Sequence, residues 1–184
     1  MTILHVDSSI NDENSVSRSL TLATVSHLAS LDPAAKVVRR DLGVAPLPHF
    51  SLADYADPSV ADEFLAAQTI VIGAPMYNFG VPSQLKAWLD RLAIRGKTFS
   101  YGDNGPEGLS GGRKVIIVSS RGGMYSAGSP VAAFDHQETY LQAFFAFLGV
   151  TDITFVRAEG VAMGDEARQQ AIQAANAEIK RLAA

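Results

Sequence analysis

Residues 69–92 read TIVIGAPMYNFGVPSQLKAWLDRL, and the fold turns on how this stretch is parsed. Thr69 to Ala74 is a run of β-branched and small apolar residues, broken off by Pro75-Met76-Tyr77-Asn78-Phe79-Gly80. A helical pattern then follows, with Leu85, Trp88, Leu89 and Leu92 on one stripe. The unbroken apolar run reads as a strand covered on both faces, as in parallel sheets. The spacing of three and four behind it reads as a helix. Pro82 suits its first turn, where no backbone N–H is needed. Most strand-to-helix turns are short, polar and small. This one carries a Met, a Tyr, an Asn and a Phe.

The same parsing extends along the chain. Further buried strands are expected at 2–6, 115–120 and 152–156, and a weaker, alternating one at 36–42 belongs at a sheet edge. Val16, Leu20, Ala23, His27 and Leu31 fall on one helical stripe, as do Ile172, Ala175, Ile179 and Leu182. Residues 131–148 read as a further helix closing at Gly149. Strands that alternate with helices predict a doubly wound α/β/α sandwich, because parallel strands need crossover connections. Five parallel strands favour the flavodoxin-like arrangement over a six-stranded Rossmann domain. Residues 97–112, KTFSYGDNGPEGLSGG, are too rich in glycine for a helix and predict a small hairpin excursion. With 184 residues and no linker or repeat, residues 1–184 are expected to form one domain.

Composition narrows the function. The net charge is −4 and no basic block occurs, which argues against nucleic acid. There are no cysteines, so disulfides, thiolate nucleophiles and Cys-ligated zinc are excluded. The four histidines (5, 27, 49 and 136) are scattered without ligand spacing, so no metal site is expected. MTILHVDSS lacks the basic and apolar regions of a signal peptide, and no apolar run reaches the roughly 18 residues of a membrane span. A cytoplasmic protein away from the membrane is the expectation.

In a doubly wound sheet, ligands bind beyond the carboxyl ends of the strands. Three loops belong there. The first, SSINDENSVSRS at 8–19, is rich in hydroxyls and leads into a helix, whose free N–H groups and dipole favour a phosphate. Taken alone, N-capping by Ser15 or Ser17 explains it better. Asp12 and Glu13 oppose a phosphate unless they point outwards. The second is the opening stretch, where Met76, Tyr77 and Phe79 offer flat apolar surface and Asn78 and the backbone amides offer hydrogen bonds. That suits a planar heteroaromatic with polar edges, although a packed loop using Pro75 and Gly80 explains it equally well. The third, SSRGGMYSAG at 119–128, has Gly122 and Gly123 for close backbone approach, and Arg121 to fix the turn or meet a charge. One such loop is weak evidence. Three at one sheet edge form a site.

Rival motifs are absent. The chain has no G-x-G-x-x-G, no G-x-x-x-x-G-K-[ST] and no G-x-S-x-G, and the strand at 69–74 lacks a phosphoacceptor aspartate at its end.

APMYNFGVPSQLKAWLDR (74–91), TFSYGDNGPEGL (98–109), SSRGG (119–123) and GVTDITFVRAEG (149–160) closely resemble the FMN-dependent NADH-azoreductases, flavodoxin-like NADH:quinone oxidoreductases. The resemblance runs along nearly the whole chain, and P-M-Y-N-F followed by Q-L-K is its most specific part. It implies one FMN per subunit, its phosphate held by Ser9, Ser15, Val16 and Ser17. It places the isoalloxazine against Met76, Tyr77, Asn78 and Phe79, and against Ser120, Arg121, Gly122 and Gly123. It also implies a homodimer whose clefts are completed by the partner, here through Phe147 or Tyr101, with Tyr125 facing substrate. Residues 43–62 are shorter than is usual in the family.

The activity so implied is ping-pong transfer of two electrons from NADH to quinones and azo compounds, with the flavin carrying the chemistry and no side chain assigned as acid or base. Three rival readings stay open: an NADPH-dependent flavin quinone reductase of the same fold, a flavodoxin-type electron carrier, and a flavin-free regulatory or interaction domain.

Overall fold

The structure is a computed structural model, and it describes residues 1–103 and 105–183; Asn104, inside the expected hairpin excursion, and Ala184 lie outside the described residues. Five parallel strands form the central sheet: β1 (Thr2–Asp7), β2 (Lys36–Asp41), β3 (Thr69–Pro75), β6 (Lys114–Ser120) and β7 (Asp152–Ala158). Their order, β2-β1-β3-β6-β7, reverses direction at β1 and β3, the switch point expected of a flavodoxin-like sheet. β4 (Phe99–Gly102) and β5 (Gly105–Gly108) form the separate antiparallel hairpin within 97–112.

The continuous apolar runs bury both faces by simple alternation. Leu4, Val6, Ile70, Ile72, Val115 and Ile117 pack on one face against Phe64 of α2 (Ser59–Ala66), Leu85, Trp88 and Leu89 of α3 (Ser83–Asp90), and Leu141 and Phe145 of α4 (Glu138–Phe147). Ile3, Val71, Ile116, Val118 and Val156 pack on the other, against α1 (Val16–Leu31) and α5 (Asp165–Ile179). Three layers result. β2 is one of the two edge strands, with Val37 and Val38 exposed. Among the described residues, no helix is long and apolar enough to cross a membrane.

Two helix expectations need correction. The packed stripe of α1 runs through Val16, Leu20, Thr24 and Leu28, while Leu31 is exposed. Thr24 can be buried because its hydroxyl donates to Leu20 O at 2.8 Å, so a residue read as polar serves as core. The helix expected over 131–148 begins only at Glu138, after a 3-10 turn at Ala132–Phe134. The Asp135 carboxylate accepts from the N–H groups of Gln137 (3.0 Å) and Glu138 (3.1 Å), which starts the helix there.

Candidate functional site

Strand register brings the three loops together. Asp7 pairs with Gly73 and Pro75 with Ser120, so β1, β3 and β6 end side by side. Beyond them lies a cleft walled by Ser9, Ser15 and Val16, by Met76 and Tyr77, and by Ser120 and Gly122. Val161 and Arg168, neither singled out from the sequence, close its remaining side.

In the first loop, Ser15 caps α1 by accepting from Arg18 N at 3.2 Å, and its Oγ stands 3.1 Å from Ser17 Oγ. Both serines are buried. The N–H groups of Val16 and Ser17 meet no acceptor among the described residues. Two hydroxyls and two unpaired amides at a helix start make a cradle for an anion. Asp12 and Glu13 are exposed and line a second groove with Arg39 and Asp41, which shares Ser15 with the cleft. Arg18 clamps the loop from behind: it forks onto Asp41 at 2.5 and 2.7 Å and donates to Ser9 O at 2.8 Å. The hydrogen bond from Arg18 is the main cause that draws the Asp41 carboxyl down to about 2. A Cβ on Gly43 would stand 2.3 Å from Ser9 O, so this close approach requires glycine.

The second loop is a tight hairpin turn. Tyr77 and Gly80 exchange both backbone hydrogen bonds at 3.1 Å, with Asn78 (φ 48°) and Phe79 (φ 70°) between them in the left-handed region. Two positive φ values in a two-residue turn favour Asn and Gly; a bulky Phe there is strained. The N–H groups of Asn78 and Phe79 have no acceptor among the described residues. The Phe79 ring is 43% exposed and sits 5.3 Å from the Phe134 ring and 6.1 Å from that of Tyr125. Tyr77 does more than offer a flat surface, because its hydroxyl reaches back to the first loop.

In the third loop the Arg121 side chain turns away from the cleft. Fully buried, it lies 3.0 Å from Asp135, 2.5 Å from Glu138 and 3.2 Å from Glu159. Of the two roles expected for Arg121, its guanidinium fixes the turn and is not free to meet a ligand's charge. Glu159 also accepts from the N–H groups of Tyr125 (2.7 Å) and Ser126 (3.0 Å) and from the Ser126 hydroxyl. Burial alone would raise the Glu159 carboxyl, and these hydrogen bonds outweigh it and hold it below the usual range. Residues 160–162 run alongside 121–123 through three backbone hydrogen bonds, so the end of β7 braces the glycine loop. The sequence signal for Glu159 was its place just after a strand at the same sheet edge.

Phe147 and Tyr101 lie elsewhere. The N-terminal end of α4 is fastened to the cleft end of β3 by Gln137 Nε2 donating to Ala74 O at 3.0 Å. Phe147 is at the other end of this ten-residue helix, about 15 Å along. There its ring meets Phe99 (4.7 Å), which meets Tyr101 (5.5 Å) on the hairpin. Neither lines the cleft.

Sheet order and cleft position together define a flavodoxin-like α/β protein, and a family model described as flavodoxin-like fold matches residues 1–183. Over 201 residues the chain is 53% identical to an FMN-dependent NADH:quinone oxidoreductase of Bradyrhizobium sp. (strain BTAi1 / ATCC BAA-1182), covering 100% of both. It is 52% identical to one of Sinorhizobium fredii (strain NBRC 101917 / NGR234), covering 97% of this chain and 95% of that protein. Among solved structures, an FMN-dependent NADH-azoreductase from Bacillus anthracis str. Ames Ancestor, in complex with FMN, superposes with a TM-score of 0.86 at 25% identity, covering 97% of this chain and 94% of that one. The chain belongs to the flavodoxin-like family of FMN-dependent NADH:quinone oxidoreductases.

Proposed function

We propose that this chain is a single-domain FMN-dependent oxidoreductase that transfers two electrons from NADH to quinones and azo compounds. The observation that carries the reading is that two kinds of unpaired donor sit on the loops that meet at one cleft, which Ser15, Val16, Met76 and Tyr77 themselves line. The amides of Val16 and Ser17, with the Ser15 and Ser17 hydroxyls, suit a phosphate. The amides of Asn78 and Phe79, beside Met76 and Tyr77, suit the polar edge of a flat ring. Both halves of FMN therefore find matching groups, and the names of the relatives agree.

Ser9, Ser15, Val16 and Ser17 would hold the phosphate, and Met76 to Phe79 with Ser120, Gly122 and Gly123 the ring, while Arg121 keeps its loop in place. When bound, FMN would supply the redox chemistry, accepting reducing equivalents from NADH and passing them to a second substrate. Hydrogen-bond donors fixed at 78 and 79 would favour the negative charge that electron uptake brings to the ring. No separate dinucleotide fingerprint occurs in the chain, so donor and acceptor would use one opening in turn. The exposed rings of Phe79 and Phe134, with Tyr125 between β6 and α4, would line that opening.

The functional unit in this reading is a homodimer, with Phe147 or Tyr101 reaching the cleft of the partner subunit. Their distance from the protomer's own cleft and the 59% exposure of Tyr101 support this. The direct test is the spectrum of the purified protein with added FMN, then anaerobic titration with NADH. A flavin spectrum bleached by one equivalent of NADH and restored by quinone supports the function. Absence of FMN affinity would remove it. Full activity from a monomer at sedimentation equilibrium would remove only the shared cleft.

A further inference from the structure

Arg168 is the single charged residue lining the cleft among the described residues. It lies in the first turn of α5, 154 positions from Asn14, and its Nη2 donates to Asn14 O at 3.0 Å. Asn14 directly precedes Ser15, the cap of α1. The cationic end of Arg168 is thus fastened to the rim of the anion cradle. The loop itself supplies no counter-charge: its donors are hydroxyls and amides, and Arg18 is committed to Asp41 and to Ser9 O. Arg168 pairs with no carboxylate among the described residues. A guanidinium carries five N–H donors in a fixed fork, so one bond to Asn14 leaves others to spare.

A phosphomonoester brings a charge of about −1.5 to −2 at pH 7, and neutral donors can orient that charge without offsetting it. We propose that Arg168 is the counter-charge for the phosphate of the bound flavin, and that it makes the cleft prefer the phosphorylated flavin over riboflavin. The proposal rests on the cradle reading given above. It gives α5 a part in cofactor selection that its helical pattern does not signal.

The test compares FMN and riboflavin binding to the deflavinated full-length protein, followed by quenching of flavin fluorescence. Arg168→Ala should raise the FMN Kd about tenfold or more, as loss of a charge-assisted hydrogen bond does, and leave the riboflavin Kd within about twofold. Arg168→Lys should recover part of the FMN affinity. The weakening of FMN binding by added salt should be shallower in Arg168→Ala than in the parent. Where riboflavin binds too weakly to titrate, inorganic phosphate competing against FMN replaces it, with an inhibition constant that rises in Arg168→Ala. Equal loss of FMN and riboflavin would overturn the proposal, because the arginine would then only order the loop through Asn14. Unchanged FMN affinity would overturn it as well. Ser17→Ala separates this from failure of the cradle: a lowered preference for FMN there, with none in Arg168→Ala, sinks the counter-charge alone. An unchanged preference in Ser17→Ala sinks the cradle too.

Discussion

The hydroxyl of Tyr77 stands 3.4 Å from Ser9 Oγ and accepts the Ile10 N–H at 3.2 Å. One phenol therefore ties the turn after β3 to the loop after β1. Tyr77→Phe keeps the ring and removes the tie. Ile10 is exposed, so water can take over its amide, and the expected loss of stability is at most about 1 kcal/mol. FMN affinity should fall severalfold, because the two halves of the cleft are no longer held in register. Calorimetry of the apoprotein beside an FMN titration separates the two effects.

Ser15 and Ser17 should behave differently although they face the same cradle. Ser15 caps α1, so Ser15→Ala should destabilise the apoprotein by about 1 kcal/mol as well as weaken FMN binding. The Ser17 hydroxyl contacts only Ser15 Oγ among the described residues, so Ser17→Ala should leave the apo melting curve nearly unchanged. Its effect should appear in FMN affinity, at about 1.5–3 kcal/mol for a lost charge-assisted hydrogen bond. Identical melting curves for the two variants would contradict the cap.

Glu159 is expected to matter for folding through the loop after β6, which it ties down. Glu159→Ala removes the acceptor of two backbone amides and one hydroxyl, together with one of three carboxylates around buried Arg121. A loss of about 3 kcal/mol is expected, and Glu159→Gln should recover part of it. Chemical denaturation measures both, and exchange of the Tyr125 and Ser126 amides should quicken in the alanine variant.

Acid should act through Asp41. Its carboxyl is lowered from 3.8 to about 2 in the fold, so it binds protons less readily there than in the unfolded chain. The stability it contributes is present above pH 3.8 and lost as the pH falls through about 2. Asp41→Asn should flatten the stability curve across that window and, by releasing Arg18 from its fork, loosen the Ser9 loop. An unchanged acid limb in Asp41→Asn would show that other carboxylates govern it.

Use of one opening in turn has a kinetic signature. Initial rates with NADH varied at several fixed quinone concentrations should give parallel double-reciprocal lines. Intersecting lines would mean that donor and acceptor are held together.

The sheet was readable because both of its faces are covered: Ile70, Val71 and Ile72 are all apolar, yet they face alternate layers. Less legible are residues whose burial depends on a private partner. Thr24 looks polar until its hydroxyl is seen to close on Leu20 O. Residues 131–137 have helical composition, and the Asp135 carboxylate starts the helix late. The loop residues of the site could be placed at one sheet edge from chain order alone. Glu159 and Arg168 come from the far end of the chain, and only the topology brings them beside Arg121 and Asn14.

Phe79 sets backbone ease against side-chain surface. With φ at 70°, it occupies a conformation that glycine adopts freely and an aromatic residue resists, by about 1–2 kcal/mol. A lineage filtered only for foldability would drift towards glycine at this codon and lose the ring that meets Phe134 and Tyr125. Keeping an aromatic there is a standing debt of stability, carried by the well-packed sheet beneath it.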